Sequence, residues 1–237
     1  MSMTCDINQG TVRVASDKSQ QLTEQFDAQV EALLRSRILT IAQMSEQYFV
    51  SLVEPLRSLL ADIRPVEQGH TILIGIPQGL VSIVAQCAAI CIDGRNVKTW
   101  LNERRLGRAS GSAPPCLPYL AVGIDLGGDY PPMSGRECLK CQTESGQSSF
   151  FAEDFLALLR CRPKLQPDKY MCANTRYGTE VKGAEETTYF QVESEKLRLL
   201  AQESDYSDLG FHYPSCQSRF DINGKPMLLD GSPASLD

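Results

Sequence analysis

The chain has 237 residues, enough for one large domain or two small ones. Its 42% hydrophobic content supports a sizeable core, while a net charge of −6 argues against the broad electropositive face of a nucleic-acid binder. No stretch approaches the roughly 20 apolar residues of a membrane span, since the longest apolar-rich segment, Leu80 to Ile92, is interrupted by Ser82 and Gln86.

The opening MSMTCDINQG has neither a basic start nor an apolar stretch, so no secretory signal is expected. That points to the cytoplasm, where the nine cysteines stay reduced, and their odd number also argues against a complete disulfide framework. Residues 1–21 are polar and read as a flexible tail. Thr23 is a candidate helix cap, and Phe26, Val30, Leu33 and Leu34 then repeat on one helical face. Ser45 is a second cap candidate, followed by Phe49, Leu52 and Val53. Pro55 breaks or restarts that helix, and Leu56, Leu59, Leu60 and Ile63 extend the apolar face, so 23–63 form a helical N-terminal layer. That face is either internal core or a surface for homodimer formation.

From Thr71 to Ile76 the short β-branched run predicts a strand that Pro77 ends. Leu80 to Ile92 fits a helix by spacing, yet Ala88 to Ile92 running into Asp93-Gly94 also fits a strand before a turn. Residues 102–116 read as a linker whose Arg104, Arg105 and Arg108 either touch an anion or, as is commoner for such a cluster, form a solvated face. Leu117 to Leu126 is almost continuously apolar and predicts a strand buried on both faces. Ser148 or Ser149 opens a helix through Phe151, Phe155, Leu158 and Leu159, closed by Pro163. Tyr170 to Thr175 and Thr187 to Val192 read as strands, while Leu197 to Ala201 fits either type. Asn223-Gly224 marks a turn, and 220–237 read as a loosely docked tail. Helices first and strands after them predict an α+β fold, with the helical layer on one mixed, mostly antiparallel sheet and one further helix near 149–161. A single domain spans 22–219.

Several segments have a familiar form: Phe26-Asp27-Ala28-Gln29-Val30-Glu31-Ala32-Leu33, Glu54-Pro55-Leu56-Arg57, Pro118-Tyr119-Leu120-Ala121-Val122 running to Asp125 and Gly127, and Pro214-Ser215-Cys216-Gln217-Ser218-Arg219. In order and spacing they resemble an uncharacterised bacterial family, a domain of unknown function found in actinobacteria. The resemblance covers about residues 22–219 and implies one compact domain with no assigned reaction. Gly135-Arg136 and the helix after Ser149 resemble the family's stretch after the PYL strand, whereas Cys138 and Cys141 do not resemble a family feature.

Chemistry is sparsely signalled. Cys138-Leu139-Lys140-Cys141 is one CxxC without a second. A structural zinc takes about four ligands, which Cys138, Cys141, Cys161 and Cys172 would supply with gaps of 2, 19 and 10 residues. A thioredoxin-like pair sits at a helix N-terminus, but here Gln142 to Gly146 separates the pair from the next expected helix. His212 and Cys216 are four apart with Pro214 between them, which does not make a catalytic pair. Asp125 and Asp129 flank a Gly-Gly turn and either hold a cation or satisfy turn amides. Glu153 and Asp154, in a first helical turn, complement the helix dipole, and Glu185-Glu186 reads as a solvated turn. No phosphate loop, nucleophile elbow or metalloprotease motif is present. The expectation is a binding or interaction domain without catalysis, with a protein or small molecule as partner, no nucleic acid and no membrane. Asp125, Arg136 and Arg219 are its candidate ligand residues; the alternative is a zinc-binding or thiol-reactive protein using Cys138 and Cys141.

Overall fold

Helix formation starts well before the first candidate cap. In the computed structural model, which describes residues 8–63, 72–109, 115–128, 130–161, 165–178, 185–193, 196–206 and 210–227, helix α1 spans Asn8–Arg35. Residues 8–21 are therefore helical rather than a loose tail, and Thr23 caps nothing: its hydroxyl donates to Ser19 O one turn back at 3.1 Å. Leu22, Phe26 and Leu33 form the buried stripe of α1. A short α2 (Ile38–Ile41) leads to α3 (Glu46–Arg57), which Ser45 caps by accepting from the Tyr48 amide at 3.2 Å. Pro55 lies inside the last turn of α3 without ending it, and a 3₁₀ turn, Ser58–Ala61, carries the apolar face on to Leu60.

Strand β1 (Ile72–Gly75) follows. The ambiguous 80–92 segment is both of the things its pattern allowed. Ser82 caps α4 (Ile83–Ala89), Glu103 accepts from the first two helical amides, and the chain then enters β2 (Cys91–Ile92), the Asp93-Gly94 turn and β3 (Arg95–Lys98). The expected linker holds a 3₁₀ turn, Glu103–Arg105, and β4 (Leu106–Arg108). After β5 (Tyr119–Asp125) comes a helix that the sequence reading missed, α5 (Gly135–Glu144), then β6 (Ser148–Ser149) and α6 (Ala152–Cys161). The remaining strands are β7 (Asp168–Gly178), β8 (Glu185–Val192), β9 (Leu197–Glu203), β10 (Phe211–His212) and β11 (Ser215–Phe220). Glu185 and Glu186 thus lie in a strand, not a turn. Beyond β11 the chain turns at Asn223-Gly224, and the Met227 amide donates to Arg219 O at 2.8 Å, so docking extends at least to Met227.

The class is α+β, with the helical layer as expected, but the strands form two sheets instead of one. The first is antiparallel, in the order β1-β5-β11-β6. The second runs β10-β7-β8-β9-β3-β2, with β4 also on β7. The first sheet is a wall between two apolar cores. On β5, Leu120 and Val122 face the helical layer while Tyr119 and Ala121 face the opposite way; on β1, Ile72 and Ile74 face the helices and Leu73 faces away. This period of two is the ordinary geometry of a strand and puts an apolar requirement on every position. Helix α6, buried from Ala152 to Leu159, fills the space between this wall and the second sheet. The first sheet has β1 at its edge, and the buried Gln29 of α1 closes that edge: its Nε2 donates to Ile72 O at 3.0 Å, and its Oε1 accepts from the Ile74 amide at 2.8 Å.

Candidate functional site

Asp125, Arg136 and Arg219 occupy three different settings. Asp125 ends β5, and its Oδ1 accepts from the Gly127 amide at 2.9 Å, the turn-satisfying role. Asp129 lies outside the described residues. Arg136 is exposed on α5 and pairs with the equally exposed Asp205 at 2.8 Å. Arg219 is 1% exposed and paired with Asp154 in the interior, with only its Nε lacking a partner among the described residues. The structure does not gather them at one surface.

Arg219 belongs to a buried ionic network around Phe151. Its guanidinium donates to the Asp154 carboxylate, to Ser148 Oγ and to Ser149 O, the last at 2.9 Å. Burial pushes its pKa down, but Asp154, Cys216 and Tyr119 together outweigh that and the net shift is upward. Arg108 pairs with Glu153 at 2.8 Å, both nearly fully buried, so it is no solvated linker residue. Both guanidiniums lie over the Phe151 ring, with Cζ at 3.5 and 4.2 Å from its centroid. Asp154 also accepts from the Tyr119 hydroxyl at 2.8 Å and from the Phe151 amide at 2.8 Å, and Glu153 accepts from the Gln78 amide at 3.0 Å. Burial, with the neighbouring carboxylates of Asp154 and Glu153, raises the Tyr119 pKa far above its usual value. These acids tie β4, β5, β11 and α6 together; the dipole role expected for them is the smaller part of what they do.

The cysteines divide between separate cores. Cys138 and Cys141 lie within α5, which Ser134 caps in a reciprocal box with Glu137, so the pair is helical and Cys138 begins the second turn. Cys138 packs with Met133, Met171 and Tyr213, with Cys141 beside it, whereas Cys172 and Cys161 belong to the core around Phe155. The proposed four-cysteine ligand set is not assembled, and no group of three metal-capable side chains occurs among the described residues. Burial pushes the thiols of Cys138, Cys161 and Cys216 up to about 12. That disfavours thiolate chemistry at each. His212 stacks on Tyr170 and pairs through Nε2 with Asp168 Oδ2 at 2.6 Å, so it is a packing residue with a carboxylate partner. His70 lies outside the described residues.

Concavity and unsatisfied charge meet elsewhere, at the C-terminal end of α6. Arg160 lines two clefts, of about 460 and 200 Å³, the larger walled also by Arg35, Ser36, Arg37, Cys91 and Asp93, the smaller by Gln25, Ala28 and Gln29. Arg160 Nη2 donates to Gln86 Oε1 at 3.0 Å. Gln86 is itself fixed, its Nε2 donating to Ile76 O at 2.7 Å and Val81 O at 2.9 Å. Nε and Nη1 of Arg160 are sealed from solvent and have no partner among the described residues, and no carboxylate there pairs with the cation. Burial lowers its pKa to about 10, with Cys161 and Cys87 acting in the opposite sense. Arg160 therefore stays charged at neutral pH, at a desolvation cost that the Gln86 hydrogen bond offsets in part and that no carboxylate among the described residues offsets. At the rim Arg35 pairs with Glu31, while the exposed Arg37 makes no ion pair among the described residues.

The sequence reading missed this site, though a signal was present. Phe155 to Leu159 is apolar and buried on every side, so the charged residue that follows, Arg160, is held at the edge of the core, where it is half-buried. No family model matches this chain, and neither the curated proteins nor the solved structures contain a match to it.

Proposed function

We propose that this protein is a non-enzymatic binding domain whose ligand is a small organic anion, carrying a carboxylate or phosphate, held in the cleft between the end of α1, the β2 strand and the end of α6. The observation that carries the reading is Arg160, a cation with two sealed, unpartnered N–H groups beside an open cleft of about 460 Å³. That volume falls within the usual range for small-molecule sites. A ligand anion would supply the counter-charge that the described chain does not, and guanidinium is the side chain best suited to a planar or tetrahedral oxyanion. The bacterial family resemblance, resting on its motifs alone, assigns no reaction that competes with this reading.

Thermal-shift titration with inorganic phosphate and with citrate, at constant ionic strength against chloride, tests it. At least one anion should raise Tm in a saturable way, and Arg160→Gln should abolish that increment. Equal shifts in wild type and variant, or none beyond chloride, would sink the proposal.

A further inference from the structure

Cys91 stands in the wall of the same cleft, on β2, with an exposed side chain. Among the described cysteines, Cys87, Cys138, Cys172 and Cys216 are buried, Cys141 and Cys161 are half-buried, and only Cys91 and Cys116 are exposed. Cys116 lies beside Gly79, away from the residues that wall the cleft. Of the two exposed thiols among the described residues, Cys91 shares its cleft with Arg37 and Arg160, and Cys116 does not line it.

Resting on the anion-site reading, we propose that Cys91 is the acceptor of a mixed disulfide with an anionic low-molecular-weight disulfide of the glutathione class. The Cys91 thiolate attacks one sulfur of the reagent. The reagent's S–S bond breaks, the Cys91 S–S bond forms, and the departing thiolate takes up the proton that Cys91 released. The reagent disulfide is the oxidant, reduced to one equivalent of free thiol, so no other electron acceptor enters. The carboxylates of such a molecule are what Arg37 and Arg160 would recognise, and the cleft raises its concentration at the sulfur. Selectivity therefore comes from the reagent's charge, held at a cationic wall. Asp93 also lines the cleft and opposes an anion, but Arg95 lies 3.5 Å from it as counter-charge.

The test compares oxidised glutathione with uncharged hydroxyethyl disulfide on the full chain at low salt, following Cys91 and Cys116 separately by peptide mass mapping. The Cys91-to-Cys116 rate ratio should be about tenfold higher with the anionic reagent than with the neutral one. It should fall to within about twofold of the neutral value in Arg37→Gln, whose exposed position leaves folding intact, and in the Arg37→Gln/Arg160→Gln pair. Excess inorganic phosphate should slow Cys91 and leave Cys116 unchanged. Equal ratios for the two reagents would overturn the inference. If phosphate still stabilises the wild type in that event, the anion site stands and only the role of Cys91 falls; if it does not, both fall.

Discussion

Asp154 shows how far a single side chain can differ from its sequence-level description. In the first turn of α6 it reads as a complement to the helix dipole, yet its principal partners, Tyr119 and Arg219, lie 35 and 65 residues away. Spacing along a chain says nothing about such pairings, because they are made when β5 and β11 are laid beside α6. The energetic asymmetry of buried pairs gives a direct prediction. Arg219→Met should cost about 3–5 kcal/mol in urea denaturation by leaving Asp154 uncompensated, and the Arg219→Met/Asp154→Leu pair should recover a substantial part of that loss. The buried thiols give a second prediction. Cys87, Cys138, Cys161 and Cys216 are held near 12 by burial, against an ordinary value of 9.0. The unfolded chain releases these protons first, so their contribution to stability is complete below pH 9 and shrinks as pH rises toward 12. The unfolding free energy from urea denaturation should fall steadily above pH 9, by on the order of 1 kcal/mol per thiol per pH unit, and replacing Cys216 with Ala should flatten that slope even though it lowers stability at pH 7.

Elements were legible where a local signal and a hydrophobic period agreed. The Ser45 cap, the strand after Thr71 and the long apolar run to Leu126 all reappear in the structure. Helix α5 escaped because the CxxC drew the reading toward turns and metal ligands, although Ser134 and Glu137 stand at the spacing of a capping box. Substituting Ser134 with Ala should lower stability by about 1 kcal/mol and loosen amide-exchange protection in the first turn of α5 specifically. Helix α1 extends beyond its apolar period, because residues 8–21 are mostly polar, with Val12, Val14 and Ala15 too closely spaced to mark a helical stripe. Gln29 was legible only as a position on that helix. Its clamp on β1 depends on which strand ends the sheet, and the topology settles that. Gln29→Leu, which leaves Ile72 O and Ile74 N buried without partners, should cost about 2–4 kcal/mol by chemical denaturation.

At the scale of the molecule, α+β was readable from the order of elements, but the number of sheets was not. Tyr170 and Cys172 of β7 face the core around Phe155, while Met171 and Ala173 face the core beneath α5, so β7 is also apolar on both sides. Strands of this kind announce burial without saying how many cores they border. The Arg160 cleft was hidden at the same scale, since Arg37, Cys91 and Arg160 meet only through the packing of α1, β2 and α6. The wall geometry predicts an uneven tolerance to insertion. One extra residue after Ala121 would exchange the faces of the rest of β5 and should give insoluble protein, whereas one after Gly94, in an open turn, should leave the circular dichroism spectrum unchanged.

The partition formed by β1 and β5 also bears on how this chain's kin would be found. Successive residues of β5 answer to different neighbours, one to the helices and the next to the α6 side, so the two faces are packed against separate cores. A search weighted by position-specific burial, treating odd and even sites of 119–122 as two independent columns, is therefore the form in which distant ancestry would still be audible.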